Sequence, residues 1–265
     1  MKNGPISLLF HCCFIVFLLS PITMVCLVAF TPNGFLSLPT NGFSLRWFVK
    51  LGDYPDFFEA FRNSLLIATA ASALALVFAA PAAVAIAKYR FFGRDALNAF
   101  FMSPLMIPHV VMGIAFLRFL QMLGMSGNIA GLTLGHTIVV FPFAMRMVLA
   151  ASIGMDKRVD DAAVSLGAPR LVVYRRVILP LIIPGLTSGF ALSFIQSFDE
   201  LTMTVFIASP TTVTLPVRMF NYIQDSIDPL ICAVSTLLML FTTLMMLIID
   251  KTYGLERLFM GENGA

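Results

Sequence analysis

Asp161-Ala162-Ala163-Val164-Ser165-Leu166-Gly167, followed after nine further residues by Val177-Ile178-Leu179-Pro180, is a polar, punctuated stretch inside a strongly apolar chain. Its start and stop signals agree on a short helix. Asp156 is placed to accept from the free amides of a first turn, Asp160 and Asp161 sit near the positive end of the dipole, and Gly167 with Pro169 ends the run. Val159, Ala162, Ala163 and Leu166 recur at i, i+3, i+4 and i+7, which predicts a narrow apolar stripe on one face. On spacing alone two readings fit: an amphipathic connector lying on a lipid surface, and a short helix offering its stripe to a groove in a partner.

The rest of the chain belongs in lipid. Hydrophobic residues make up 59% and charged residues 12%, against about half and a quarter in an average globular domain. A bilayer crossing needs about 20 mostly apolar residues, and six segments qualify: 8–30, 64–87, 97–117, 132–153, 182–207 and 230–249. The first is long, follows a single basic residue and lacks a small-x-small site, so it reads as a retained anchor and not a signal peptide. Cytoplasmic loops carry the excess of Lys and Arg. With the N-terminus inside, the inner segments hold Lys2, Lys88, Arg90, Arg94, Lys157, Arg158, Arg170, Arg175, Arg176, Lys251 and Arg257, against Arg46, Lys50, Arg62, Arg118 and Arg218 outside. Both termini are therefore expected in the cytoplasm. The net charge of +3 reflects that asymmetry and implies no nucleic-acid partner. Cys12, Cys13, Cys26 and Cys232 fall in apolar runs without disulfide or metal spacing. One integral domain is expected over 1–265: a first span and outer loop (1–62), a five-helix core (63–250) containing the inner loop 154–181, and a tail (251–265).

Alanine fills eleven of the 24 positions from 64 to 87, with Pro81 among them, which predicts a span inside the bundle because small side chains let helices approach in lipid. Pro104, Pro108, Pro142 and Pro184 each remove a backbone donor and favour kinks. Asp199 and Glu200, in Ser197-Phe198-Asp199-Glu200, are expected in the outer half of the fifth helix, Asp199 roughly 22 Å beyond Pro184. Neighbours on a helix point about 100° apart, so one of the two can face a central pathway. Two carboxylates at that depth would attract a cation, whereas pairing with an Arg or reaching for the interface would make them structural. His109 and His136 read as hydrogen-bonded packing residues, or His109 as a relay with the acids, and without a second His or Cys at ligand spacing no metal is proposed. Arg146 lies near the inner end of the fourth span, its role open. Outside, the loops 31–63 and 208–229 interleave aromatics with charge. They suit the headgroup level, or contact with a substrate-delivery protein. No Gly-x-x-x-x-Gly-Lys-Ser/Thr phosphate cradle and no hydrolase constellation occurs, so nucleotide energy would have to come from another polypeptide.

The opening stretch resembles the cytoplasmic loop motif of binding-protein-dependent ABC importer permeases: Glu-Ala-Ala, three residues, Gly, nine residues, Ile-x-Leu-Pro. Ala162, Ala163, Gly167, Leu179 and Pro180 match, with Asp161 in place of Glu and Val177 in place of Ile. Ser103-Pro104-Leu105-Met106-Ile107-Pro108, Ser197-Phe198-Asp199-Glu200 and Thr214-Leu215-Pro216-Val217-Arg218 look most like the spermidine/putrescine permeases. The resemblance implies an all-α polytopic membrane bundle in the bacterial inner membrane and a docking helix (Val159, Asp161, Ala162, Ala163, Leu166, Gly167, Leu179, Pro180). It further implies a pair of ATPase subunits that bind ATP and Mg, a second similar permease or a second copy, and an extracytoplasmic binding protein. The chain itself would hold no cofactor. The expected cargo is a polyamine or similar small cation, with His109, Ser197, Asp199 and Glu200 on its path and acidic outer residues Asp53, Asp56, Glu59, Asp225 and Asp228 attracting it. Amino-acid-like compounds, iron, thiamine or sulfate are other cargoes of such permeases. A self-contained cation-coupled carrier is the competing class, and it leaves the inner loop unexplained.

Overall fold

The computed structural model describes residues 4–253 apart from Pro39, Asn41 and Asp156, without the side chains of Pro5, Lys157, Asp160, Asp161, Met245, Met246 and residues 248–253. The expected cap Asp156, together with Lys2, Arg257 and the tail past Tyr253, lies outside the described residues. Every regular element described is helical: α1 (Pro5–Ala29), α2 (Arg46–Lys50), α3 (Pro55–Lys88), α4 (Arg94–Met102), α5 (His109–Met122), α6 (Ile129–Ile153), α7 (Lys157–Ser165), α8 (Arg170–Val173), α9 (Leu179–Leu181), α10 (Ile183–Phe198), α11 (Thr204–Ile207), α12 (Leu215–Asp225) and α13 (Leu230–Tyr253). The fold is an all-α polytopic bundle.

Three described helices are long and apolar enough to cross a bilayer: α1 from Ile6, α3 and α6. Two bent pairs are long and apolar enough only when their halves are taken together, Arg94–Met106 with His109–Met122 at 100°, and Arg170–Leu181 with Ile183–Phe198 at 66°. The apolar segment Leu230–Leu244 of α13 is shorter. At 34 residues, α3 is roughly 51 Å long, well beyond the ~30 Å hydrocarbon core, and it starts nine residues before the segment expected from hydropathy.

Two of the expected spans are broken outright, for identifiable reasons. The segment 97–117 is interrupted by a 3-10 turn, Ser103–Met106, with Pro104 in its first turn and Pro108 as the residue before α5. Ile107, ahead of that proline, is extended (φ −92°, ψ 128°), the conformation a following proline imposes. The segment 182–207 is not one helix either. It ends at Phe198 and resumes as α11 at Thr204, because local side chains take over the backbone partners of the gap, as described below. Pro81 and Pro142, by contrast, sit inside continuous α3 and α6. At Pro184, in the first turn of α10, the missing donor is one a helix start would leave free anyway.

Contacts divide the chain into two units. In the larger, residues 59–217, α6 and α10 form the central pair, and small residues on α10 determine how closely they approach. A Cβ on Gly185 would stand 2.6 Å from Ala151 Cβ and 2.9 Å from the Met147 carbonyl, and one on Gly189 would stand 3.3 Å from the Ala144 carbonyl. One and two turns on, Ser193 donates to the Val140 carbonyl (3.3 Å) and Ser197 Oγ meets His136 Nδ1 (2.8 Å). Four positions at i+4 spacing thus zip α10 onto α6. Ala71, Ala75, Ala79 and Ala83 of α3, all fully buried, form the i+4 row expected of the alanine-rich span. In the smaller unit, residues 1–58 and 218–252, α1 is largely exposed along its apolar length, as a lipid-facing anchor would be.

Gly185→Ala is expected to destabilise the detergent-solubilised chain by about 1–3 kcal/mol through overpacking at the α6–α10 contact. Gly34→Ala, where an added Cβ meets nothing within 4 Å, should leave the apparent melting temperature unchanged. Equal melting of the two variants would refute the zipper.

Candidate functional site

Two constellations were singled out in the sequence, and both lie in the larger unit. The first is the inner loop. Helix α7 closes with Gly167 in the left-handed region (φ +82°). The Ala168 amide bonds to the Ala163 carbonyl (3.1 Å) and the Gly167 amide to the Val164 carbonyl (2.9 Å), the paired 6→1 and 5→2 bonds of a Schellman cap. The expected stripe divides: Val159, Ala162 and Leu166 are exposed, Leu166 at 89%, whereas Ala163 turns inward against the core cluster of α3 and α6. That inward turn corrects the single outward stripe. Geometry explains it, since a loop helix needs one anchor to its own protein. Val164, at 53% exposure, joins the outer face and was not singled out. Asp161 is helical, its side chain outside the described residues.

The second half of the motif plays a different part. Ile178 is buried, Val177 and Leu179 pack against the same cluster, and Pro180 is exposed at the start of α9. Leu179 therefore anchors the loop and does not share the exposed face.

The second constellation gathers at the α10–α11 gap. Asp199 caps α10 through its amide (to the Ile195 carbonyl, 3.1 Å), and its side chain is exposed. Glu200, 7% exposed, turns the other way: Oε1 accepts from the Met203 amide (2.7 Å), and Oε2 lies 2.7 Å from Nδ1 of His109, the first residue of α5. The two acids are thus not adjacent helix positions but diverge at a helix end. Glu200 finds a histidine where an arginine partner or an open pathway had been weighed. Gly113, one turn after His109, brings α5 so close that an added Cβ would stand 3.1 Å from the Met203 carbonyl.

His136 completes the gap from the side of α6. It is 1% exposed, with Nδ1 2.8 Å from Ser197 Oγ and Nε2 3.0 Å from Thr204 Oγ1. Thr204 donates its own proton to the Glu200 carbonyl (2.9 Å), which leaves its oxygen able to accept from Nε2–H of His136. Sequence reasoning set His136 aside as a packing residue. Its partners lie 61 and 68 residues away, and no local spacing could name them. Arg146 is exposed on α6.

Three of the five acids expected to attract a cation are paired. Asp56 pairs with Arg218, Asp228 with Lys50 (3.0 Å), and exposed Glu59 with Arg62 (3.9 Å). Among the described residues, Asp53 and Asp225 have no such partner. The expected attraction of a cation by all five acids is corrected accordingly. The outer aromatics divide too: Trp47 and Phe57 are buried, Phe43 and Phe58 exposed. Arg218 stacks over Phe57 and Tyr222, at 4.8 and 5.6 Å to the ring centroids. Burial, reinforced by its bond to Asp228, pushes the Tyr222 phenol above its usual range.

A polytopic bundle whose polar side chains collect at helix breaks, with a capped amphipathic helix held against one end of its core, defines a membrane transport subunit. Residues 75–253 match the family described as binding-protein-dependent transport system inner membrane component, and this chain belongs to that family. It is a multi-pass permease of the inner membrane. Among its relatives, the spermidine/putrescine transport system permease protein PotC of Escherichia coli is 28% identical over 243 residues (90% of this chain, 92% of the relative). The PotC of Haemophilus influenzae is 28% identical over 226 residues (85% and 88%). A probable molybdenum ABC transporter permease of Haloferax volcanii is 33% identical over 175 residues (63% and 65%). The fold is shared with a bacterial ABC transporter involved in alginate import (TM-score 0.78, 16% identity, 94% and 95% covered) and with the inward-facing MetNI methionine ABC transporter (TM-score 0.60, 17% identity, 76% and 94% covered).

Removing either member of the His109–Glu200 pair is expected to destabilise the chain, and a double-mutant cycle of His109→Gln with Glu200→Gln should give a coupling of about 0.5–3 kcal/mol in thermal melts. Strict additivity of the two substitutions would dissolve the pair.

Proposed function

We propose that this chain forms half of the substrate pathway of an ATP-driven polyamine importer. In this reading α7 docks into a partner ATPase, and the polar gap between α10 and α11 lies on the path of the cation. Family membership supports the importer class, and the names of the relatives support the cargo. The exposed face of Val159, Ala162 and Leu166 supports the docking role, since an apolar surface on a capped, rigid helix suits a partner's groove. Two ATPase subunits would carry ATP and Mg, because this chain has no phosphate cradle. A second permease, or a second copy, would complete the pathway, and an extracytoplasmic binding protein would deliver the solute.

In this topology α1, the α3 span, the two bent pairs, α6 and α13 make six crossings, with α7 and both termini in the cytoplasm. A push on α7 reaches the pathway through short covalent steps: α7, the Schellman turn, α8, α9, the bend at fully buried Ile182, then α10. Ala163, Ile178 and Leu179 tie that lever to the core, so it moves as a body and not as a loose loop. At its far end stand exposed Asp199, free to meet an ammonium group, and Glu200, already held by His109 and the Met203 amide. Asp199 is accordingly assigned the direct electrostatic contact, and Glu200 the shaping of the gap. Membership of the family removes the self-contained carrier. The molybdenum-named relative makes an oxyanion the second cargo to test.

Leu166→Asp, on an exposed side chain, is expected to leave membrane expression normal and to cut energised uptake at least about tenfold, the loss of a contact worth about 1.4 kcal/mol. Wild-type uptake by that variant would remove the docking role. With labelled putrescine and labelled molybdate offered to cells expressing the whole system, putrescine should accumulate and Asp199→Asn should slow it; accumulation of molybdate alone would overturn the polyamine assignment.

A further inference from the structure

The elbow joining α3 to α4, Lys88-Tyr89-Arg90-Phe91-Phe92-Gly93-Arg94, has no part in the transport cycle described above, yet its composition is unusual. Three aromatic rings and three basic residues share seven positions. Tyr89 is 58% exposed, Phe91 41% and Phe92 fully, so much of the aromatic surface is left uncovered by the described chain. A cavity of about 420 Å³ is lined by Arg90, Phe91, Gly93, Arg94, Asp95 and Ala96. Arg94 Nε is buried there without a hydrogen-bond partner, and neither Arg90 nor Arg94 has an ion-pair partner among the described residues. Asp95 is the one acid in the lining, which keeps a net positive charge.

Position adds to composition. The elbow follows directly on the membrane-crossing α3, so it emerges at a bilayer surface. Helix α4 is bent 100° from α5, which turns it toward the bilayer plane, and it carries exposed Leu97 and Phe100 beside its charged first turn. An apolar face with basic residues at its edge is the pattern of an element lying in the headgroup region, and basic residues there favour anionic lipid.

We propose that the elbow is a binding site for an anionic phospholipid of the cytoplasmic leaflet, with the headgroup phosphate held by Arg90 and Arg94 and the rings of Tyr89, Phe91 and Phe92 seated at the acyl-chain boundary. Only the choice of leaflet rests on the topology proposed above. The same lipid would fix α4, and through the turn at 103–108 the start of α5, where His109 meets Glu200. Lipid composition would then act on the gap without touching cargo.

The full chain, purified with its partner subunits and depleted of lipid in detergent, is titrated with phosphatidylglycerol or phosphatidylcholine, and bound lipid is counted by native mass spectrometry. Wild type should favour phosphatidylglycerol, and Arg90→Gln with Arg94→Gln should weaken that lipid roughly 30-fold, two charges together. Phe92→Ser, on a ring that touches nothing in the fold, should weaken both lipids alike and guards against misfolding of the arginine variant. Equal retention of the two lipids, or an arginine variant that binds as wild type does, overturns the proposal. Displacement of the lipid by millimolar inorganic phosphate would assign the site to a soluble anion, and loss of the ATPase subunit with lipid retained would assign it to protein; either also overturns it. Binding in detergent is indifferent to sidedness, so cysteine accessibility placing the elbow outside would refute the topology and leave the site standing.

Discussion

Within hydrocarbon there is no water to bond a stray amide or carbonyl, so a helix can break only where the protein supplies replacement partners. That constraint organises the molecule. Each break carries its own replacements. Between α4 and α5, Ser103 donates to the Phe100 carbonyl, the Ile107 amide reaches the Pro104 carbonyl, and Pro108 has no donor to satisfy. Between α10 and α11, the Asp199 and Glu200 amides reach back to Ile195 and Ser197, the Met203 amide finds the Glu200 carboxylate, and the Glu200 carbonyl receives the Thr204 hydroxyl. A carboxylate used in this way cannot be left alone in an apolar setting, and His109 supplies its second donor. Glu200, buried, and its histidine partner therefore lie where the backbone is irregular.

Those breaks need a rigid frame, and the α6–α10 zipper provides it. Gly185 and Gly189 bring the axes together in the first half of α10, where the backbone of α6 is the contact surface. Further along, serine replaces glycine, and the close approach becomes a hydrogen bond, first to a backbone carbonyl and then to His136. The same stripe that packs two helices thus ends in the group that secures the gap. His136 is tied to both sides of that gap, to Ser197 before it and Thr204 after it, so α6 holds the two helices in fixed relation while Asp199 stays exposed between them.

Much of this was legible in the chain. Hydropathy located the three long apolar helices α1, α3 and α6, because burial in lipid requires long runs whatever the tertiary contacts. The alanine row of α3 was readable for the same reason: small side chains have no other use at that density. The stop of α7 followed from Gly167, whose positive φ few other residues accept. What the sequence hid was long-range. Asp199 and Glu200 read as neighbours on one helix because nothing local announces that a glutamate will cap the next turn with its own carboxylate. The role of His136 waited on hydroxyls brought near by folding. Likewise Ala163 is indistinguishable from Ala162 by residue type, and only the packing of the loop against α3 and α6 assigns one inward and the other outward.

The loop motif can now be understood as two physical requirements in one string. In the proposed docking role, a helix that receives force must offer a surface and must also be unable to slip. Exposed Val159, Ala162 and Leu166 meet the first requirement. Ala163, with Ile178 and Leu179 fifteen and sixteen residues further along, meets the second by burying apolar area on the same core cluster from both flanks of the turn. The glycine between them reverses the chain tightly enough for both flanks to reach that cluster. A bulkier residue at 163 would lift the helix from its seat, and a side chain at 167 would strain the reversal. The spacing from Ala163 to Leu179 is therefore set by the distance the chain must travel to grip one core twice, and the exposed face is free to vary only in ways that leave that grip intact.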